Sequence, residues 1–279
     1  MTPRVQKIYS ENNAFQHIET LRRNREKRHR HREFFVEGVR PLNQALASGW
    51  SITTFVYPDD RPLSDWARNI LRDSPAETHY ELASPLFNKL SLKNEPSELL
   101  ALIEMPDDSL ERIPIKEPFI VLLFDRPASP GNLGTMIRRC DALGASGLVI
   151  TGHAVDLYDP ETISATTGSI FALPVVRQPS FDRLRAWFEA IREQIGKFQL
   201  VGSSEDAQET LYDHDFSGPT LLALGNETWG LSAAYQQACD SLVRIPMGGS
   251  ASSLNVACAA SIMLYEIDRQ RRTSVDPRN

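Results

Sequence analysis

Ile245-Pro246-Met247-Gly248-Gly249-Ser250, followed by Ser253-Leu254-Asn255-Val256 and an apolar run to Ile267, is the stretch on which the reading of the fold turns. It reads as the end of a strand, a glycine loop with small polar residues, and the start of a buried helix. The paired glycines let backbone approach a ligand closely. Ser253 and Asn255 can cap the helix or turn outward to bind something. A helix that starts behind such a loop offers unpaired N–H groups to polar ligand atoms.

Two earlier loops share this setting. Asp125 to Arg139 reads DRPASPGNLGTMIRR. It follows the uninterrupted apolar run Phe119 to Phe124, which suggests a strand buried on both faces. Pro130 and Gly131 shape the turn and Asn132 is a plausible cap. Arg138, in the second turn of the helix, has a guanidinium suited to phosphate or alkoxide recognition. Its blander reading is a surface arginine paired with Asp125 or Asp141. The loop is neither a dinucleotide fingerprint nor a P-loop, because G-x-G-x-x-G and Gly-Lys-Ser/Thr are both absent. The second loop, Leu224-Gly225-Asn226-Glu227-Thr228-Trp229-Gly230-Leu231-Ser232, sets an acid between two glycines directly after a strand. Glu227 reads either as a ligand contact or as a capping carboxylate for the next helix. Trp229 reads first as a packing anchor and second as a stacking platform. All three loops follow strands of one sheet, so one crevice should collect them.

Helix and strand signals alternate through this half of the chain. Helices are expected at 133–143, 161–171, after Ser180 and after Ser232. Strands are expected at 147–151, 174–177, 198–202, 221–225 and 242–245. Phe181, Leu184, Phe188, Ile191 and Ile195 recur at helical spacing and belong to the core. The sum is a parallel α/β sheet with helices on both faces. Ahead of it, strand signals at 34–38, 52–57, 79–82 and 99–105 alternate with helices at 39–48 and 61–72. The expected organisation is a basic extension over 1–33, a small α/β domain over 34–106, a linker over 107–117, the large domain over 118–272, and a tail over 273–279.

The chain has 279 residues and a net charge of −6, a balance that weighs only weakly against a nucleic-acid partner. Charge is unevenly placed: Arg22 to Arg32 reads RRNREKRHRHR, with seven Lys or Arg and one Glu. That run is either a phosphate grip or a solvated helix face. Arg269, Arg271 and Arg272 form a second basic group. No apolar run reaches the roughly 20 residues of a membrane span, and the N-terminus has no apolar core, so neither membrane nor signal peptide is expected. Cys140, Cys239 and Cys258 form no C-x-x-C pair and the histidines are scattered, which speaks against a zinc site or disulfide framework and fits a reducing cytoplasm.

Taken in order, N132-L-G-T-M-I-R138, G225-N-E227-x-x-G230, I245-P-M-G and S253-L-N255-V resemble the SpoU/TrmH family of RNA ribose 2'-O-methyltransferases, members of the SPOUT superfamily. Asp156-Leu157-Tyr158-Asp159-Pro160 and Gly168-Ser169 resemble the family's intervening segment. Phe34-x-Val36-Glu37-Gly38 and Ile103-Glu104-Met105-Pro106 resemble, more loosely, its N-terminal substrate-binding domain. The resemblance implies a C-terminal deep trefoil knot, S-adenosyl-L-methionine as cofactor, ribosomal or transfer RNA as substrate, and a homodimer with the last helix at the interface. It implies that Gly225, Ile245 and Leu254 hold the cofactor, and that Asn132, Arg138, Glu227, Ser253 and Asn255 are the catalytic positions, with no metal.

The family's usual mechanism makes the arginine a general base. A guanidinium with a pKa above roughly 12 is poorly suited to that, so phosphate binding and alkoxide stabilisation stand beside it as the role of Arg138, with Asn132 and Glu227 orienting it. Thr228 and Ala257 depart from the family pattern, where Gly and Ser are common. The competing readings are an inactive RNA-binding protein of the same fold, a dinucleotide-dependent dehydrogenase, for which the fingerprint is missing, and an antibiotic-resistance methyltransferase differing only in target. The residues leave open the target nucleotide, whether the dimer is obligate, and the role of the basic run.

Overall fold

The structure, a computed structural model, describes residues 3–74, 76–251 and 253–275, with the side chains of 274 and 275 left aside. Of the expected tail, 276–279 lie outside the described residues. The chain divides into two units: residues 1–107 with 156–172, and residues 108–155 with 173–279.

The first unit contains, in chain order, β1 (Arg4–Ile8), α1 (Asn13–Arg23), α2 (Arg25–His31), β2 (Glu33–Glu37), α3 (Val39–Ala47), β3 (Ile52–Pro58), α4 (Asp65–Asp73), β4 (Thr78–Leu82), α5 (Ser84–Leu90) and β5 (Leu100–Glu104). Its five strands are ordered β1-β4-β3-β5-β2. β4 pairs parallel with β1 and β3, whereas β5 pairs antiparallel with β2 and β3. The expected basic extension over 1–33 is therefore corrected, because this segment is built into the unit. β1 completes the sheet edge, and Asn12 caps α1 by accepting from Phe15 N at 3.1 Å. Phe15, Ile18 and Leu21, spaced for one helix face, enter a core with Phe35, Val56, Phe87 and Leu102.

The basic run is likewise not one solvated face. Arg22 donates to the carbonyls of Lys89, Leu90 and Ser91 at the end of α5. Arg23 pairs with Glu19, and Arg32 donates to Met105 O and Asp107. Arg28 is 2% exposed.

The second unit opens with a 3-10 turn (Leu110–Arg112), so much of the expected linker is folded. Ile113 is buried in this unit's core, and Asp108 pairs with Arg177. There follow β6 (Ile120–Asp125), α6 (Pro130–Ala142) and β7 (Gly147–Thr151). The chain then contributes residues 156–172, with α7 (Pro160–Thr166), to the first unit. There Arg28 binds Asp156 and Asp159, Tyr158 packs on Phe34, and Trp50 donates to Phe171 O at 3.0 Å. The large domain expected over 118–272 thus lends one internal segment to the first unit. The helix expected over 161–171 stops at α7, where Thr167 and Gly168 take positive φ, and a 3-10 turn over Ser169–Phe171 follows.

β8 (Val175–Arg177), α8 (Phe181–Ile195), β9 (Gln199–Ser203), β10 (Glu209–Thr210), β11 (Thr220–Leu224), α9 (Ala233–Ala238), β12 (Ser241–Arg244) and α10 (Val256–Val275) complete the unit. Its seven strands are ordered β10-β12-β9-β11-β6-β7-β8, and every pairing is parallel. Val121, Leu123, Leu221 and Ala223 pack with Leu184, Trp187, Phe188 and Ile191 of α8. Leu122, Phe124, Leu222 and Leu224 alternate with them and are buried too, so both faces of the sheet are covered. α10 packs against α6. At its far end Arg271 donates to Phe216 O and Gly218 O. No helix among the described residues is long and apolar enough to cross a membrane.

Candidate active site

β6 and β11 are neighbours in the sheet, and the loops leaving their carboxyl ends are bound to each other. Asn226 and Gly230 exchange backbone hydrogen bonds at 3.0 Å, closing a tight hairpin over the second loop. The hairpin needs its first glycine: a Cβ on Gly225 would lie 2.0 Å from the Gly230 carbonyl carbon and 2.1 Å from Leu231 N. Gly230 closes it at φ +62°. Asn226 Oδ1 accepts from Thr228 N and Trp229 N, and its Nδ2 donates to Arg126 O at 2.7 Å. Arg126, itself at φ +54°, donates back to Gly230 O at 3.0 Å. Asp125 is buried and accepts from Ser232 N, Thr151 Oγ1 and Arg126 Nε.

Glu227 leaves the tip of this hairpin and accepts three hydrogen bonds, from Ala128 N at 3.0 Å, Ser129 N at 3.2 Å and Asn132 Nδ2 at 3.1 Å. It serves the N-terminus of α6, a site that favours an anion, instead of the helix that follows it. Asn132 Oδ1 in turn accepts from Asn255 Nδ2 at 3.0 Å. Asn255 Oδ1 accepts from Ala257 N and Cys258 N, which makes this residue the cap of α10. One line of hydrogen bonds, Glu227–Asn132–Asn255, thus joins the three loops. Ser129 Oγ, by accepting from Asn132 N, takes the capping place on α6 that the sequence suggested for Asn132.

A cavity of about 470 Å3 opens beside this line. Gly225, Ile245, Leu254, Glu227 and Ser253 all line it, with Leu224, Leu231 and Val256 as apolar wall and Ser203, Ser204, Glu205 and Asp206 at its polar side. Its size is ordinary for a small-molecule site. The lining carries three carboxylates and no Lys, Arg or His among the described residues, a balance that suits a cationic ligand.

Arg138 does not join this arrangement. It is exposed on α6 and makes no hydrogen bond or ion pair with another described residue. The expectation that Asn132 and Glu227 orient it is corrected. Arg138 lies six positions after Asn132, roughly 600° of helix rotation, which puts them on different faces. Of its two suggested partners, Asp125 is taken by Arg126, and Asp141 forms no ion pair with it among the described residues. Trp229 is also not the packing anchor first read from the sequence, since it is 78% exposed at the cavity rim. Two of the three thiols are poor nucleophiles: burial pushes Cys140 up, and burial with the Asp240 charge pushes Cys239 up to about 12. Asp125, Arg126 and Asn226 went unread as loop-holding residues. The strand-end position of Asp125 was the available signal, but its bond to Ser232 spans 107 positions.

Residues 119–265 match the model of the SpoU rRNA methylase family, and residues 12–101 match that of the SpoU L30e-like domain. The chain belongs to the SpoU methyltransferase family. It is 49% identical to the 23S rRNA (uridine(2479)-2'-O)-methyltransferase of Streptomyces viridochromogenes, over 99% of this chain and 97% of that protein. It is 31% identical to the 23S rRNA (guanosine(2553)-2'-O)-methyltransferase RlmP of Bacillus subtilis, over 84% of this chain and 88% of that one. Among solved structures, the SpoU methyltransferase AviRb of S. viridochromogenes in complex with AdoMet superposes with a TM-score of 0.89 at 49% identity, covering 94% of this chain and 99% of that one. The SpoU match spans the joined loops and the cavity, and the L30e-like match begins at Asn12, inside the segment read as a free basic extension.

Proposed function

We propose that this SpoU protein methylates a ribose 2'-hydroxyl of 23S ribosomal RNA with S-adenosyl-L-methionine as donor. The observation that carries the reading is the Glu227–Asn132–Asn255 line, which ties the first loop to an anionic cavity lined by the second and third loops and by residues 203–206. The cavity fits the donor's chemistry. Gly225, Ile245 and Leu254 bring backbone groups to it, Leu224 and Leu231 an apolar wall, and its carboxylates favour a positively charged guest. When bound, the donor supplies an electrophilic sulfonium methyl.

The chain's own residues position the acceptor and stabilise its developing charge. Glu227 and Asn255 lock Asn132, so a ribose meets a preset amide and carboxylate. Ser253 offers a hydroxyl on the third loop. Arg138 keeps its proton, binds the neighbouring phosphate and stabilises the forming alkoxide, and the 2'-hydroxyl proton passes to solvent water as the oxygen takes the methyl group. Its guanidinium has no partner among the described residues, and we place its work in a homodimer. Cys258, Ile262 and Tyr265 form an exposed stripe at helical spacing along α10, the helix packed on α6, and a second copy docked there would give Arg138 a site to act in. The C-terminal trefoil knot belongs to the same reading, supported by the return of α10 onto α6. So does a cytoplasmic place of work, where ribosomal RNA is found.

Incubation with bacterial total RNA and methyl-labelled donor, followed by mapping, tests the whole. Label in a 23S rRNA ribose is expected, and the uridine modified by the 49% relative is the first position to inspect. Arg138→Ala should abolish transfer while donor binding, measured by calorimetry, stays within about twofold. Wild-type protein that binds RNA and donor without transfer would support the inactive RNA-binding reading instead.

A further inference from the structure

We infer that Trp229 is the stacking platform for a base of the substrate RNA beside the methylated ribose. The inference rests on the proposed methyl transfer and adds to it the residue that recognises the target. The indole is 78% exposed, an unusual cost for the largest apolar side chain, and it makes no ring contact among the described residues. Its backbone is nevertheless held firmly. Trp229 N donates to Asn226 Oδ1 at 3.1 Å, inside a hairpin closed by the paired Asn226 and Gly230 bonds. A ring carried on a fixed tip loses little freedom when a partner covers it.

Location narrows the partner. Trp229 lies two residues beyond Glu227, whose carboxylate begins the line to Asn132 and Asn255. The cavity has its own apolar wall in Leu224, Leu231 and Val256, so a donor inside it does not require the rim indole. Around the rim, Glu205, Asp206 and Glu227 repel phosphates. What this edge can grip is therefore the uncharged face of a base. Single-stranded RNA is recognised in that way, by unstacked bases laid on aromatic rings.

The test uses the full-length protein, protein-free 23S rRNA, and the variants Trp229→Ala, Trp229→Phe and Trp229→Leu. Trp229→Ala should lower kcat/KM for the RNA, at saturating donor, on the order of tenfold to a hundredfold. Trp229→Phe should recover most of it. Trp229→Leu, which keeps an apolar side chain without a ring, should be as poor as alanine, and it carries the test if the alanine variant does not fold. Donor affinity by calorimetry and molar mass by light scattering should be unchanged. Leucine or alanine variants within twofold of wild type overturn the inference. So does an equal loss of donor affinity, which would make the indole part of the donor pocket, or a loss of dimer mass, which would make it a subunit contact. Wild-type protein that labels no RNA overturns the proposed function and this inference together; an active wild type with an unimpaired alanine variant overturns this inference alone.

Discussion

Glu227 accepts three hydrogen bonds with two carboxylate oxygens, which is more than a neutral amide in its place can accept. Charge-assisted bonds of this kind contribute about 1.5–3 kcal/mol each. Glu227→Gln should therefore lower single-turnover methyl transfer at saturating donor at least about tenfold, equivalent to about 1.4 kcal/mol, and lower the melting temperature by a few degrees. A variant that melts early yet turns over normally would reduce Glu227 to a helix cap. At this scale the sequence was half legible. An acid between glycines after a buried strand was visible as a site or a cap, and it is a cap for α6, as well as the holder of Asn132. Which helix it serves depended on the β6–β11 pairing, which brings positions about a hundred residues apart into register.

Among the elements, α2 and the segment carrying α7 are joined by a buried ion pair. Arg28 lies 2.7 Å from Asp156 and 3.2 Å from Asp159, with His29 on the other Asp156 oxygen. Burial by itself raises the Asp156 carboxyl, but the hydrogen bonds from His29 and Arg28, with the charges of both, outweigh it and hold the group at about 2. The unfolded chain releases this proton near 3.8, so the folded state gains stability from Asp156 above that pH and loses it as pH falls toward 2. The contribution is about 2 kcal/mol. Urea unfolding at pH 5 and at pH 2.5 should show it: the gap between wild type and Asp156→Asn shrinks by most of that amount at the lower pH. A gap that does not change with pH would remove Asp156 from the acid response. The pair also explains why the basic run misled. Arg28 and Arg22 stand in a row of cations, and nothing in that row marks the members that fold inward onto carboxylates and carbonyls.

For the whole molecule, the exposed apolar stripe on α10 is a feature that a second copy can satisfy. Ile262 is 40% and Tyr265 61% exposed, on a helix whose Ala260, Met263, Leu264 and Ile267 are fully buried. If a second copy covers the stripe, Ile262→Asp should halve the molar mass seen by light scattering and depress methylation of 23S rRNA while donor affinity persists. Unchanged mass would move the dimer contact elsewhere, and Arg138 would need another route to the reaction.

What the amino-acid order determined alone is the catalytic unit's class and its chemistry-bearing bends. Continuous apolar strands, helices at regular spacing and glycines at strand ends are local patterns, and a parallel sheet converts them directly into loops on one edge. Only the tertiary structure decided the rest. β1 has just one buried residue, Ile8, so no periodicity announced that it completes a sheet. The home of 156–172 rests on Arg28, more than a hundred positions away. The exposure of Trp229 follows from which neighbours arrive around its side chain, and those neighbours come from segments distant in the chain.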